Sequence, residues 1–270
     1  MFGNQFYHQT LRRYVIMFGN LFNDITIARL NNAGQVVQRI GVPVAYGPKQ
    51  KYLVRLAQDP NFEREVALQL PRISFELTGV SYAPERKLAS TQRNVKVTST
   101  DAKQFLNQFV PVPYDINMQL AFFVKNADDG TQILEQILPY FTPEWTTTIQ
   151  LIDEMEIKMD IPTVLQSTSF EDVYEGDFET RRAIVWTLDF LVKGYIYGPV
   201  RSTGIINRVI APISDELTIM NNVAEVDVTP GLTAQGNPTA NSQATIARGS
   251  ISADDDFGFI TKVEEDVFGS

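Results

Sequence analysis

Leu11, Tyr14, Val15, Phe18, Leu21 and Phe22 recur at intervals of three and four with Arg12 and Arg13 on the polar side, which predicts an amphipathic helix ending near Asn23. Ile25 to Leu30 then alternates, Asn31-Asn32-Ala33-Gly34 supplies residues that tolerate positive φ, and Val36 to Val44 resumes an extended pattern; together they predict a hairpin. Pro48 suits a first helical turn, so Lys49 to Gln58 is expected as a short helix stopped by Asp59-Pro60. Arg72 to Thr78 alternates and runs on toward Tyr82, with Ile73, Phe75 and Leu77 on one face. Residues 85–111 are polar and irregular apart from a short Val95/Val97 alternation of hairpin-tip length. Tyr114 to Val124 is the longest strand expected. Thr131 to Phe141 places Ile133, Leu134, Ile137, Leu138 and Phe141 at helical spacing, with Asp128 and Asp129 near the positive end of the dipole. Trp145 to Ile152, Ile157 to Leu165 and Arg181 to Tyr197 read as further strands, the last with Ile184, Trp186, Leu188 and Phe190 inward.

Strands outnumber helices, and each helix has one apolar stripe to bury. The pattern therefore predicts an α+β fold, a mainly antiparallel sheet with a few helices packed on one face. From about residue 222 to 253 the chain turns to Asn, Thr, Gly, Gln, Ala, Ser and Pro without aromatics, which cannot offset the entropy of ordering by itself. The expected division is an α+β core domain over 1–200 and an acidic, extended C-terminal arm over 201–270.

Charge sharpens that division. The 270 residues carry a net charge of −9, of which −6 lies from Pro199 onward, where ten acids face four bases. Of 29 aromatic residues, 26 precede residue 199. An acidic balance is the wrong sign for gripping phosphate backbones along a basic face. With no cysteine and the single histidine His8, disulfides, thiolate metal sites, cysteine nucleophiles and multi-histidine metal sites are all excluded. No window approaches the ~20 continuous apolar residues of a bilayer span, and the N-terminal segment lacks a secretory pattern, so a soluble chain that stays where it is made is expected.

Candidate chemistry is sparse. The densest acidic stretch, Asp153, Glu154, Glu156 and Asp160 followed by Glu171, Asp172, Glu175, Asp177 and Glu179, offers oxygen donors for a hard cation but no EF-hand spacing. It reads as a solvated face, with a carboxylate-dependent hydrolase as the alternative from another class and a monomeric ligand-binding module as a third. His8 reads as an exposed imidazole, and no phosphate loop, dinucleotide fingerprint or nucleophile elbow is present, so no cofactor is expected. The doublets Arg12-Arg13 and Arg181-Arg182 read as polar faces with their stems over the core, or, more sharply, as partners in ion pairs across a subunit interface. Phe257, Phe259 and Val263 close an otherwise polar tail, the form of an extended segment whose apolar anchors add a strand to a neighbour's sheet.

Several blocks occur in an order that carries a resemblance. Phe2-Gly3-Asn4, Phe6-Tyr7, Leu11-Arg12-Arg13-Tyr14 and Phe18 to Ile25 come first, then Val42 to Gly47, Leu70-Pro71-Arg72-Ile73, Ser81 to Pro84, Gln132 to Phe141 and Arg181 to Trp186. Over roughly residues 1–200 the chain resembles the tail sheath stabiliser (tail completion) proteins of T-even-like contractile-tailed bacteriophages. The resemblance implies a non-enzymatic virion protein assembled in the host cytoplasm and located at the tail–neck junction. It implies a homohexameric ring on the last rings of tube and sheath, holding the extended sheath and presenting a surface to the neck or connector proteins. DNA would pass through its lumen without specific binding, and no membrane is involved. A terminator of the tube alone, or another neck ring, is the alternative within the same class.

Overall fold

The computed structural model describes residues 5–31, 33–58, 70–97, 104–174, 182–204, 206–214 and 222–265. The chain divides into two compact units, the first formed by Met1–Ser90 with Val110–Tyr197, the second by Thr91–Phe109 with Gly198–Ser270. The polar stretch after residue 90, expected to be irregular, leaves the first unit and joins the second.

In the first unit the elements are α1 (Thr10–Leu21), β1 (Thr26–Leu30), β2 (Val36–Gly41), β3 (Val44–Tyr46), α2 (Lys49–Gln58) and β4 (Arg72–Tyr82). The second unit contributes β5 (Arg93–Val97) and β6 (Gln104–Phe109) before the chain returns with β7 (Val112–Val124), α3 (Ala127–Ile137), β8 (Glu144–Ile152), β9 (Ile157–Tyr174) and β10 (Arg182–Ile196). A six-stranded sheet runs in the order β3-β4-β7-β10-β9-β8, antiparallel throughout except for the β3–β4 pair, and the β1–β2 hairpin stands as its own small sheet. The α+β class and the antiparallel character are as expected.

Strand periodicity explains the core. Adjacent side chains on a strand point to opposite faces, so Phe122 and Phe123, both fully buried, serve two different layers. On one face Phe122 stacks on Trp186, while Phe18 of α1 and Phe22 just after it pack edge-on or tilted against Phe190, and Phe18 also meets Phe75. Gly130 lets α3 approach this face closely, since a Cβ there would lie 2.7 Å from Trp186 Nε1. Gly194 does the same under Tyr14, whose hydroxyl donates to the Tyr195 carbonyl and accepts from the Tyr195 amide. Burial pushes that phenol's pKa well up.

On the opposite face Tyr52 of α2 packs with Ala121, Phe123 and Val185. The helices therefore cover both faces rather than one, because the apolar run Leu120–Val124 offers a burial demand on each side. Away from α2 this second face becomes polar. Lys49 reaches Glu171 and Thr187, Gln119 and Ser167 both donate to Asp189, and Arg86 holds Asp115 under the ring of Tyr195.

The second unit adds β11 (Arg201–Gly204), β12 (Val209–Ser214), β13 (Asn222–Gly231) and β14 (Gly258–Glu265) in two three-stranded antiparallel sheets, β11-β6-β5 and β12-β13-β14. The described residues of the 201–270 segment, expected to be an extended arm, are instead folded into paired strands: β13 and β14 pair in register from Ala224–Glu265 to Gly231–Gly258. The polar stretch between them closes back on itself through short bonds such as Ile246 N to the Leu232 carbonyl and Leu232 N to Thr245 Oγ1. Hydrogen bonds to backbone and side-chain oxygens replace the missing aromatics there, and buried Leu232, Ile251 and Ile260 supply a small core.

Candidate functional site

The candidate surfaces are built from the residues that the fold leaves open. In the first unit Arg13 does not wait for a neighbour. Its guanidinium donates to both oxygens of Asp153 and to the Gln150 carbonyl, tying α1 to the β8–β9 turn. The hydrogen bond and charge of Arg13 hold the Asp153 carboxyl below its ordinary value. The ion pair expected across a subunit boundary is, for Arg13, made within its own chain, because the helical spacing that buries Tyr14 aims Arg13 at this turn. Arg12 is exposed and donates to the Gln9 side-chain oxygen. Arg181 lies outside the described residues, and Arg182 opens β10 opposite Tyr174.

The acidic stretch is dispersed. Asp153 serves Arg13, Asp160 accepts from Thr148, Glu171 pairs with Lys49, and Glu175, Asp177 and Glu179 lie outside the described residues. Among the described residues no group of three or more His, Cys, Asp or Glu side chains is placed to hold a metal ion. His8 sits half-buried with its ring 5.5 Å from that of Phe6. None of the described helices is long and apolar enough to cross a membrane.

Two features of the first unit were not visible in the sequence pattern. The outer edge of β1 is closed by side chains: Gln132 Oε1 accepts from the Ala28 amide at 2.8 Å and its Nε2 donates to the Ala28 carbonyl, while Gln136 does the same for Thr26. Two glutamines one helical turn apart thereby imitate a neighbouring strand. Beside them Arg29 of β1 pairs with Asp129 of α3, a carboxylate only 1% exposed. The signal was present in the block Gln132 to Phe141, whose two amides share one helix face, but a helix wheel does not say that a strand edge lies opposite. The other feature is a groove of about 480 Å³ beyond the end of α1, lined by Leu21, Phe22, Ile137, Phe141 and Trp145 with Asp24 and Glu135 among its walls.

In the second unit Phe257, Phe259 and Val263 stand in different surroundings. Phe257 is half-buried with its ring edge-on to Phe259 at 5.8 Å, whereas Phe259 and Val263 are 66% and 58% exposed. Register places Phe259 and Val263 on the same face of the sheet as Val226 and Val228 of β13 and Val209 and Ile213 of β12. The reverse face carries Glu225, Asp227, Lys262 and Glu264, with Arg208 bound to Asp227 through two 2.9 Å bonds. A sheet that meets water on one side ordinarily shows polar residues there. Here the apolar face is also open.

Among the described residues this arrangement leaves apolar side chains such as Val37, Phe259 and Val263 exposed and assembles no metal-holding cluster. Residues 5–266 match the family described as T4-like virus Myoviridae tail sheath stabiliser. The chain is also 35% identical over 207 residues to the tail completion protein gp15 of Enterobacteria phage T4, an alignment covering 74% of each chain.

Proposed function

The chain belongs to the tail sheath stabiliser family of T4-like phages, a structural component of the virion tail, and from that premise we propose that it forms a homohexameric ring at the head-proximal end of the tail. In this reading the ring terminates tube and sheath, holds the sheath extended and offers the neck its attachment surface. The observation that carries it is the family match across nearly the whole chain, both units included. Two physical features support it. The described carboxylates of the acidic stretch that have assigned partners are engaged in structural bonds with Arg13, Thr148 and Lys49. A net charge of −9 per subunit lets DNA slide through a lumen without the counterion release that clustered lysine and arginine would drive.

The test combines native mass spectrometry of the full chain with electron microscopy of purified extended sheath after its addition. The reading expects a species near six times 30.4 kDa, alone or on the sheath, and sheath ends closed by a ring. A chain that stays monomeric with and without sheath, and leaves the sheath ends unoccupied, overturns it.

A further inference from the structure

The groove of about 480 Å³ beyond α1 collects negative potential from two kinds of source. Asp24 and Glu135 line it, both are exposed, and neither carboxylate is in an ion pair among the described residues. The second source is backbone. Helix α1 ends at Leu21 and α3 at Ile137, and both terminal residues line the groove. A helix leaves its last carbonyls without intrahelical partners and carries about half a negative charge at that end. A basic side chain in the last turn ordinarily answers it, and neither helix has one. Among the described residues no base lines the groove: the chain is without lysine, arginine or histidine from Tyr14 to Ala28 and from Asn126 to Ile157, the two stretches that build it. The walls between these charges are aromatic. Phe22 and Phe141 stack with ring centroids 6.5 Å apart, and Tyr140 meets Trp145 edge-on at 5.6 Å. Tyr140 and Trp145 remain 60% and 40% exposed.

We propose that this groove docks a segment of a partner protein through one of its arginines, with an apolar neighbour of that arginine on the rim. Charge selects a cation: two carboxylates and two helix ends of one sign converge on a single cleft, and their attraction strengthens as the occupant displaces water from the aromatic walls. Ring chemistry selects arginine over lysine, because a planar, weakly hydrated guanidinium stacks on tyrosine and tryptophan faces while still donating to carboxylates. The rim selects a protein segment over a free small cation. Leu138, 39% exposed, shares the single 3₁₀ turn Leu138–Tyr140 with the open Tyr140 ring, so apolar surface continues past the cleft and is covered only by a side chain adjoining the cation. The same potential repels phosphate, which disfavours nucleic acid as the occupant. The volume falls within the roughly 300–1,000 Å³ of pockets that enclose a ligand group. Every residue of the groove belongs to the first unit, so the inference does not depend on ring formation.

Trp145 is one of two tryptophans in the chain and reports on the groove by fluorescence of the full-length protein. The probes are acetyl-Leu-Arg-Leu-amide, the same tripeptide with glutamine or lysine in the middle, and acetyl-arginine-amide. The arginine tripeptide is expected to change the signal saturably, and the glutamine tripeptide to bind about tenfold more weakly or less well still. The lysine tripeptide and acetyl-arginine-amide should fall between them. Joint Asp24→Asn and Glu135→Gln should weaken the arginine tripeptide about tenfold while circular dichroism and melting temperature hold, since neither carboxylate carries an ion pair within the chain. In Trp145→Phe the remaining Trp186 should not respond. The proposal is overturned by the absence of a saturable response to the arginine tripeptide, by equal binding of the glutamine form, by full binding to the doubly neutralised variant, or by a response from Trp186 alone. Acetyl-arginine-amide binding as tightly as the tripeptide would make this a small-cation pocket, and lysine equal to arginine would remove the stacking argument; either result overturns the occupant named. Native mass of the unaltered and doubly neutralised chains covers the last case: a self-association lost on neutralisation would mean that a second copy fills the groove, and the proposal falls while the ring reading stands.

Discussion

The two units solve the same problem in opposite ways. The six-stranded sheet of the first is covered on both faces by its own helices, and even the spare edge of β1 is occupied by glutamine side chains. The β12–β13–β14 sheet of the second keeps Phe259 and Val263 in water. Identical residue types thus do different work: Phe190 is closed off by Phe18, Phe22 and Phe141, whereas Phe259 touches the ring of Phe257 and is otherwise open. The lesson is that apolar content does not locate a core. Whether a chain covers a face with its own elements decides if that face stabilises the monomer or awaits another molecule.

The strongest way to break this contrast is to make one substitution in both places. Phe190→Ala is expected to cost about 3–5 kcal/mol of unfolding free energy in urea titrations, because it opens a cavity among packed rings. Phe259→Ala is expected to stay within about 0.5 kcal/mol. Equal losses at the two positions would mean that the second sheet is covered in solution and the comparison is wrong.

A smaller effect probes the closure of the hairpin. Arg29→Ala leaves the 1%-exposed Asp129 carboxylate without its partner, and a loss of about 1–3 kcal/mol is expected, discounted because Arg29 itself is partly exposed. Adding Asp129→Asn should return part of that loss in a double-mutant cycle; additive losses would show that the pair is not coupled. Next in size, Gln132→Ala and Gln136→Ala should each cost about 1 kcal/mol. Hydrogen exchange reads the cause, since the Ala28 and Thr26 amides respectively should lose protection while those of β7 keep theirs.

The smallest effect belongs to the surface of the first unit. Arg13 lowers the Asp153 pKa below its ordinary 3.8, so this carboxylate binds its proton less readily folded than unfolded. Its contribution to stability is present above about pH 4 and is lost as the pH falls through the folded-state value. Carbon-detected NMR titration should find Asp153 protonating below its ordinary range, and Arg13→Gln should bring that titration back up. An unchanged midpoint in the variant would remove the assigned cause.

Much of the first unit was legible because local periodicity and turn chemistry agree with the final packing. The helix over Leu11–Phe22, the hairpin about Asn31–Gly34 and the strands ending at Tyr82 and Val124 appear where the pattern predicts them. Helix α3 begins earlier than its apolar spacing suggests, at Ala127, because Asp128 and Asp129 suit a first turn as well as a position before it. Strand β9 runs to Tyr174, beyond Leu165, since its far half pairs with β10 through Ser167, Ser169 and Glu171, polar residues that carry no strand alternation of their own. The second unit was misread for the same reason. Its strands interrupt a text of small polar residues, and the ordering free energy comes from long-range pairing that composition does not reveal.

The amino-acid sequence by itself determined the α+β class, the acidity, the poverty of catalytic residues and the family, since these depend on period, count and order along the chain. Only the tertiary structure decided that residues 91–109 join the C-terminal segment, that α2 covers the second face of the sheet, and that Arg13 is engaged at home. Each of those outcomes depends on which distant segments lie side by side. Periodicity shows that a side chain needs a partner, and three-dimensional packing supplies which one.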